Sequence, residues 1–147
     1  MIKVMVPVLM VLSTSACVSV TSDGRCDEQL GNTLFARSEY AAAFSALEGC
    51  EEKEDASGLA LGQLAWLYLQ GYSDIEAEAE LFSKSYELIY RGANKGNVKV
   101  TGVLASIYRN GEPVLAIKPN REVAACLANL AETERISGSD IDACLKE

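Results

Sequence analysis

Five cysteines and no histidine define the chemistry open to this chain of 147 residues. A thiol can bond to a second thiol, to a metal ion or to a lipid. The missing imidazole removes the usual general base, the commonest metal ligand and any Ser–His or Cys–His nucleophile pair. Cys26, Cys50, Cys126 and Cys144 are widely separated, with no Cys-x-x-Cys knuckle, so neither a metal site nor a cofactor is expected. Serine and lysine are adjacent at Ser83-Lys84, which is not the Ser-x-x-Lys spacing that activates a serine at a helix start. No residue set for catalysis emerges, and the chain reads as a binder and not an enzyme.

A net charge of −8 argues against nucleic acid as a partner, because the phosphate backbone would repel the surface. Side chains free to touch a protein partner must lie off the apolar stripes of the helices that carry them. Gln63, Trp66 and Gln70 fall at i, i+3 and i+7 of one helix, and Ser106, Arg109 and Asn110 are exposed candidates on a later one. Trp66 reads either as a core residue of an all-apolar helix or as an aromatic binding anchor. Asp74, Glu76, Glu78 and Glu80 alternate at the start of a helix, either as charge that complements its dipole or as a patch for a basic partner.

The elements that must hold these residues follow from apolar spacing. Cys26, Leu30 and Leu34 recur every four residues on a first helix. After a break near Arg37-Ser38, with Ser38 as N-cap, Tyr40, Ala43, Phe44, Leu47 and Cys50 line a second. Glu51 to Asp55 reads as a solvated connector. Residues 57–70 form a helix that is apolar nearly all round and is therefore expected to be central, closed by Gly71. Asp74 caps a fourth helix with Leu81, Phe82, Tyr86, Ile89 and Tyr90 on its stripe. Asn97 caps a fifth, lined by Val100, Val103, Leu104, Ile107 and Tyr108, which ends at Gly111-Glu112-Pro113. Pro119-Asn120 opens a sixth with Val123, Cys126, Leu127 and Leu130, and a short last helix after Gly138 carries Ile141, Cys144 and Leu145. In an antiparallel pair the start of one helix lies beside the end of the next. That geometry pairs Cys26 with Cys50, a bridge stabilising by roughly 3 to 4 kcal/mol on chain-entropy grounds, and Cys126 with Cys144.

Residues 1–16 carry one lysine, an apolar run from Val4 to Leu12 too short to span a bilayer, and small residues ahead of Cys17. That layout resembles a bacterial lipoprotein signal, with Thr14 at the place where Leu or Val is usual. The resemblance implies cleavage before Cys17, lipid attachment to its sulfur and, with Val18 following, an outer-membrane address facing the periplasm. An ordinary cleaved secretion signal is the other reading. Residues 17–24 form a short polar tether, and residues 25–147 form the folded domain.

A decapeptide pattern, Gly-x-Leu-Ala-x-[Leu/Ile]-Tyr-x-x-Gly, occurs at residues 62–71 and again at 102–111, forty residues later. Periods of that size belong to stacked helical hairpins. Leu64-Ala65, Tyr68 and Gly71, with Leu104-Ala105, Tyr108 and Gly111, resemble the first helix of the Sel1-like repeat, a cousin of the tetratricopeptide repeat. Tyr86 to Gly96 resembles its second helix, and Gly31, Leu34, Phe35, Tyr40, Ala43 and Phe44 look like a tetratricopeptide unit. Ser73 and Pro113 stand where the family's second loop glycine is usual.

The resemblance implies an all-α fold: a short right-handed solenoid of about three antiparallel helical hairpins with a short C-terminal helix. It implies protein binding as the function. Small Sel1-like lipoproteins of some bacteria look like immunity proteins that neutralise a lipase-type effector of a type VI secretion system. A scaffold or assembly factor for an outer-membrane or cell-wall complex is the alternative. The expected partners are thus an effector toxin or an envelope component, and the membrane through the lipid anchor.

Overall fold

The computed structural model describes residues 25–133 and 135–146. The expectations for Cys17, the signal and the tether lie outside them. Among the described residues there are seven α-helices, one 3-10 helix and no strand beyond a single bridge between Glu112 and Ile117. The order is α1 (Glu28–Ala36), α2 (Tyr40–Leu47), the 3-10 helix (Glu48–Glu52), α3 (Gly58–Leu69), α4 (Glu78–Asn94), α5 (Val98–Asn110), α6 (Arg121–Ala131) and α7 (Gly138–Leu145). The chain is all-α.

Consecutive helices pack in pairs, α1 on α2, α3 on α4 and α5 on α6, with α4 also packed against α5. The first residue of α3 lies beside the last turn of α4: a Cβ added at Gly58 would come 2.5 Å from the Gly92 carbonyl oxygen. Those two helices therefore run antiparallel. Helices α1 and α3 instead run side by side in one direction. Glu28, opening α1, accepts a hydrogen bond from the Ser57 N–H just ahead of α3 (2.7 Å), and the Phe35 and Trp66 rings meet near their far ends, 5.3 Å apart. The core follows this order. Leu61, Leu64, Ala65 and Leu67 of α3 are fully buried and join Leu47, Leu88, Leu104, Leu127 and Ile141 in one cluster.

Several boundaries arise from the capping chemistry the sequence carries. Ser57 Oγ accepts from Ala60 N–H, Asn97 Oδ1 from Val100 N–H, and Asn120 Oδ1 from both Glu122 and Val123 N–H. The two glycines that close the repeated pattern, Gly71 and Gly111, sit at φ +81° and +77°, a conformation that side chains with a Cβ seldom adopt.

Two expected caps are not caps. Ser38 has φ +62° and ends α1 instead: Glu39 N–H reaches back to the Leu34 carbonyl, the six-to-one bond of a Schellman turn. Helix α2 begins at Tyr40 after Glu39, with no side-chain cap. Asp74 also caps nothing, since α4 begins at Glu78 after Ala77. Ile75 packs partly buried against the core, which holds this segment as a loop and delays the helix.

The connector at residues 51–55 is more than a solvated turn. Glu51 lies in the 3-10 helix, where its carboxylate accepts from Tyr68 Oη (2.8 Å) and pairs with Lys84 Nζ (3.0 Å). Its carbonyl accepts from Arg91 Nη1 at 2.6 Å. One residue thereby ties the end of the second helical segment to α3 and α4. Three other phenols make similar links: Tyr86 and Tyr108 hydroxyls are 2.9 Å apart, and Tyr90 donates to Asp142 of α7 at 2.6 Å.

These phenols predict alkaline sensitivity. Burial first and the Glu51 hydrogen bond second push Tyr68 above its ordinary range, burial and Tyr108 do the same for Tyr86, and the Asp142 hydrogen bond leads for Tyr90. A phenol whose pKa is raised by folding stays protonated in the folded chain after the unfolded chain has begun to ionise. Its contribution is whole below the unfolded value of about 10 and is lost as pH climbs beyond it. The urea midpoint should therefore hold between about pH 7 and 9 and fall above about pH 10. A midpoint unchanged to about pH 12 would contradict the linkage.

Both cysteine pairs are bonded as the hairpin geometry requires, Cys26 to Cys50 and Cys126 to Cys144. Their settings differ in detail from the sequence expectation. Cys26 precedes α1, Cys50 belongs to the 3-10 helix, and Cys126 is midway along α6.

Candidate binding surface

Helix α3 does not bury all its sides. Leu64, Ala65, Leu67 and Tyr68 face inward, while Leu59, Trp66 and Leu69 face out, Trp66 at 37% and Leu69 at 39% exposure. Spacings of seven and three residues set these apolar side chains on one outer strip. On α5, Val103 is 48% exposed instead of buried, because no helix among the described residues covers that side of it. Leu30 of α1 is likewise exposed, and the buried face of α1 is instead marked by Gly31 against Leu47.

The outer strip of α3 forms the floor of a groove of about 430 Å³, walled by Phe35 of α1 on one side and by Lys99, Val100 and Val103 of α5 on the other. Lys99 is the one charged side chain among those lining it. Gln63 lines it half-buried, with its Oε1 inaccessible and without a hydrogen-bond partner among the described residues. The C-terminal end of the strip runs into an aromatic cluster drawn from four segments. Trp66 meets Phe35 edge-on and Tyr40 at 4.9 Å between ring centroids, and Tyr40 in turn meets Tyr72 at 6.0 Å. Such offset and edge contacts stabilise beyond the area they bury, so the cluster is a fixed feature of the surface.

Trp66 thus has a foot in both readings open to it, packed on two rings yet partly open to solvent. Gln70, the C-cap of α3, is exposed beyond the groove. Asp74 and Glu76 are exposed in the loop following Tyr72, and Glu78 and Glu80 are exposed in the first turn of α4. Arg109 lies elsewhere, in a small depression with Arg121, Ala124 and Ala125, and Ser106 and Asn110 are exposed along the same helix as Arg109. The structure therefore joins Gln63 and Trp66 in one groove, leaves Asp74 and Glu76 in the exposed loop that follows Tyr72, and sets Arg109 apart. Phe35, Tyr40, Tyr72, Leu59, Leu69 and Val103 complete the surface without having been singled out as contact residues. The only sequence signal for them was an excess of apolar positions around α3.

Cys26, Cys50 and Glu28 bring three metal-type ligand atoms within 4.8 Å of one another, but both sulfurs are bonded to each other and Glu28 accepts from Ser57. No described helix is long and apolar enough to cross a membrane. Comparison with family models, with curated proteins and with solved structures finds no match for this chain.

Proposed function

We propose that this protein is a non-catalytic binding module which holds another protein in the groove over α3. The observation that carries this reading is the open apolar groove ending in the Phe35–Tyr40–Trp66–Tyr72 cluster. Contiguous apolar surface of this kind is the usual mark of an interaction site, and aromatic anchors set in a pocket dominate such interfaces. The parallel run of α1 and α3, the repeated decapeptide and the paired helices support a right-handed solenoid of the Sel1-like kind, in which first helices of successive hairpins line one face. The signal-like N-terminus and two disulfides support export, with a lipid on Cys17 and an outer-membrane position facing the periplasm. In that compartment a small stapled binder fits the task of an immunity protein against a lipase-type effector.

The test is capture of partners by the full chain from envelope extracts of its own bacterium, alongside three variants. One stoichiometric partner is expected, its affinity reduced at least about tenfold by Trp66→Ala or by Leu69→Lys. Arg109→Glu, away from the groove, should leave capture intact. A partner held equally well by all four chains would place the contact elsewhere. Several weakly held envelope proteins would favour the scaffold role.

A further inference from the structure

The groove has two chemically different ends. Near the start of α3, beside Leu59 and Gly62, stands Lys99. At the other end α3 stops, Tyr72 turns onto Tyr40, and the chain runs on through Asp74 and Glu76, both exposed. Two residues of extended chain span at most about 7 Å, so the backbone of Asp74 stays within that reach of Tyr72. Glu39, adjacent to Tyr40, is also exposed there, with Arg37 as the nearby cation. Carboxylates outnumber cations at this end, on a chain whose net charge is −8.

We propose that the occupant of the groove is a partner segment with aliphatic side chains along one face and an arginine or lysine at one terminus. The aliphatic face lies on Leu59, Trp66, Leu69 and Val103. The cation comes to rest at the aromatic end of the groove, where Tyr72 leads into the exposed Asp74 and Glu76. Each part has a physical reason. Aromatic faces carry negative potential and attract a cation, most strongly when the site is partly dry. Nearby carboxylates add a longer-range pull that raises the local concentration of positive segments. Lys99 at the opposite end repels the same cation, so the segment has one preferred direction in the groove. This inference rests on the protein-binding reading of the groove and adds the chemistry of the partner.

Trp66 is the one tryptophan in the chain, so its emission reports on the groove directly. The experiment titrates the purified full chain with two short synthetic peptides that share a leucine-rich face, one ending in two arginines and the other in two glutamates. The arginine peptide is expected to shift Trp66 emission and to bind at least about tenfold more tightly than the glutamate peptide. Raising salt from about 0.05 M to about 0.5 M should shrink that preference, since exposed charges are screened. An Asp74→Asn, Glu76→Gln double variant should narrow the preference for the arginine peptide and weaken its dependence on salt.

Equal binding of the two peptides, or a preference for the glutamate peptide, overturns the proposal. So does emission that changes with protein concentration alone, because a second copy of the chain would then fill the groove. If neither peptide binds while capture of the natural partner still depends on Leu69, the groove reading stands and the basic segment is wrong. If capture too is indifferent to Leu69, both fall.

Discussion

Reducing both disulfides is expected to lower stability by about 6 to 7 kcal/mol and to leave the chain at or near unfolding at room temperature. The loops closed are 24 and 18 residues, which on chain-entropy grounds give about 3.5 and about 3 kcal/mol. The remaining helix contacts show why the loss is not absorbed. Helix α1 buries only Gly31, α2 only Ala43, Ala46 and Leu47, and α7 only Ile141 and Cys144. Terminal helices have a neighbour on one side only and too little apolar area to hold themselves in place. The bridges supply what that packing lacks.

The measurement is a urea titration with and without reductant, repeated on Cys26→Ala/Cys50→Ala and on Cys126→Ala/Cys144→Ala. Loss of the first bridge should have the larger effect. It releases α1 and α2 and, with them, the Phe35 and Tyr40 walls of the aromatic cluster, so Trp66 emission should move to longer wavelength. Loss of the second should leave that emission unchanged while loosening α7 and the Tyr90–Asp142 bond. If the fully reduced chain keeps its urea midpoint, the staples are ornaments on a fold stabilised by its centre alone.

How far the sequence showed this depends on the range over which each feature is decided. The cap at Asn97 and the opening of α6 at Asn120 were legible because one side chain and a backbone N–H two or three residues on decide them, whereas the sequence puts Ser57 inside its helix as the first residue and the structure makes it the cap. Ser38 and Asp74 have equally good capping chemistry and fail as caps. The Schellman turn ending α1 claims Ser38, and the packing of Ile75 keeps the residues around Asp74 from entering a helix. The disulfides were legible because antiparallel pairing fixes which cysteines meet. The groove was not. An all-apolar α3 says that much of it is covered, but not which side lacks a neighbour: Trp66 stands out as a candidate anchor, while Leu59 and Leu69 read the same as Leu61, Leu64 and Leu67. Phe35, Tyr40 and Tyr72 converge on Trp66 from other segments, and no local pattern announces such a meeting.

The repeated decapeptide makes the same point as a pair of opposite outcomes. Gly62 and Gly102 hold one place in the pattern, and nothing in the pattern tells them apart. At Gly62 the structure shows close helix approach. A Cβ there would overlap Val100 Cγ2 of α5, and Val100 is a stiff β-branched side chain, itself buried and close to Gly92. At Gly102 a Cβ would meet nothing within 4 Å. Gly62→Val is therefore expected to destabilise by about 2 to 3 kcal/mol, as added volume pushes α5 away from α3 and disturbs the groove between them. Gly102→Ala is expected to stabilise by about 1 kcal/mol, because alanine is the better helix former and the space is free. Thermal midpoints of the two variants should thus move in opposite directions, and Trp66 emission should change only in the first. A loss on Gly102→Ala would mean that something covers the outer side of α5. A gain on Gly62→Val would mean that α3 and α5 stand further apart than the close approach at Val100 implies.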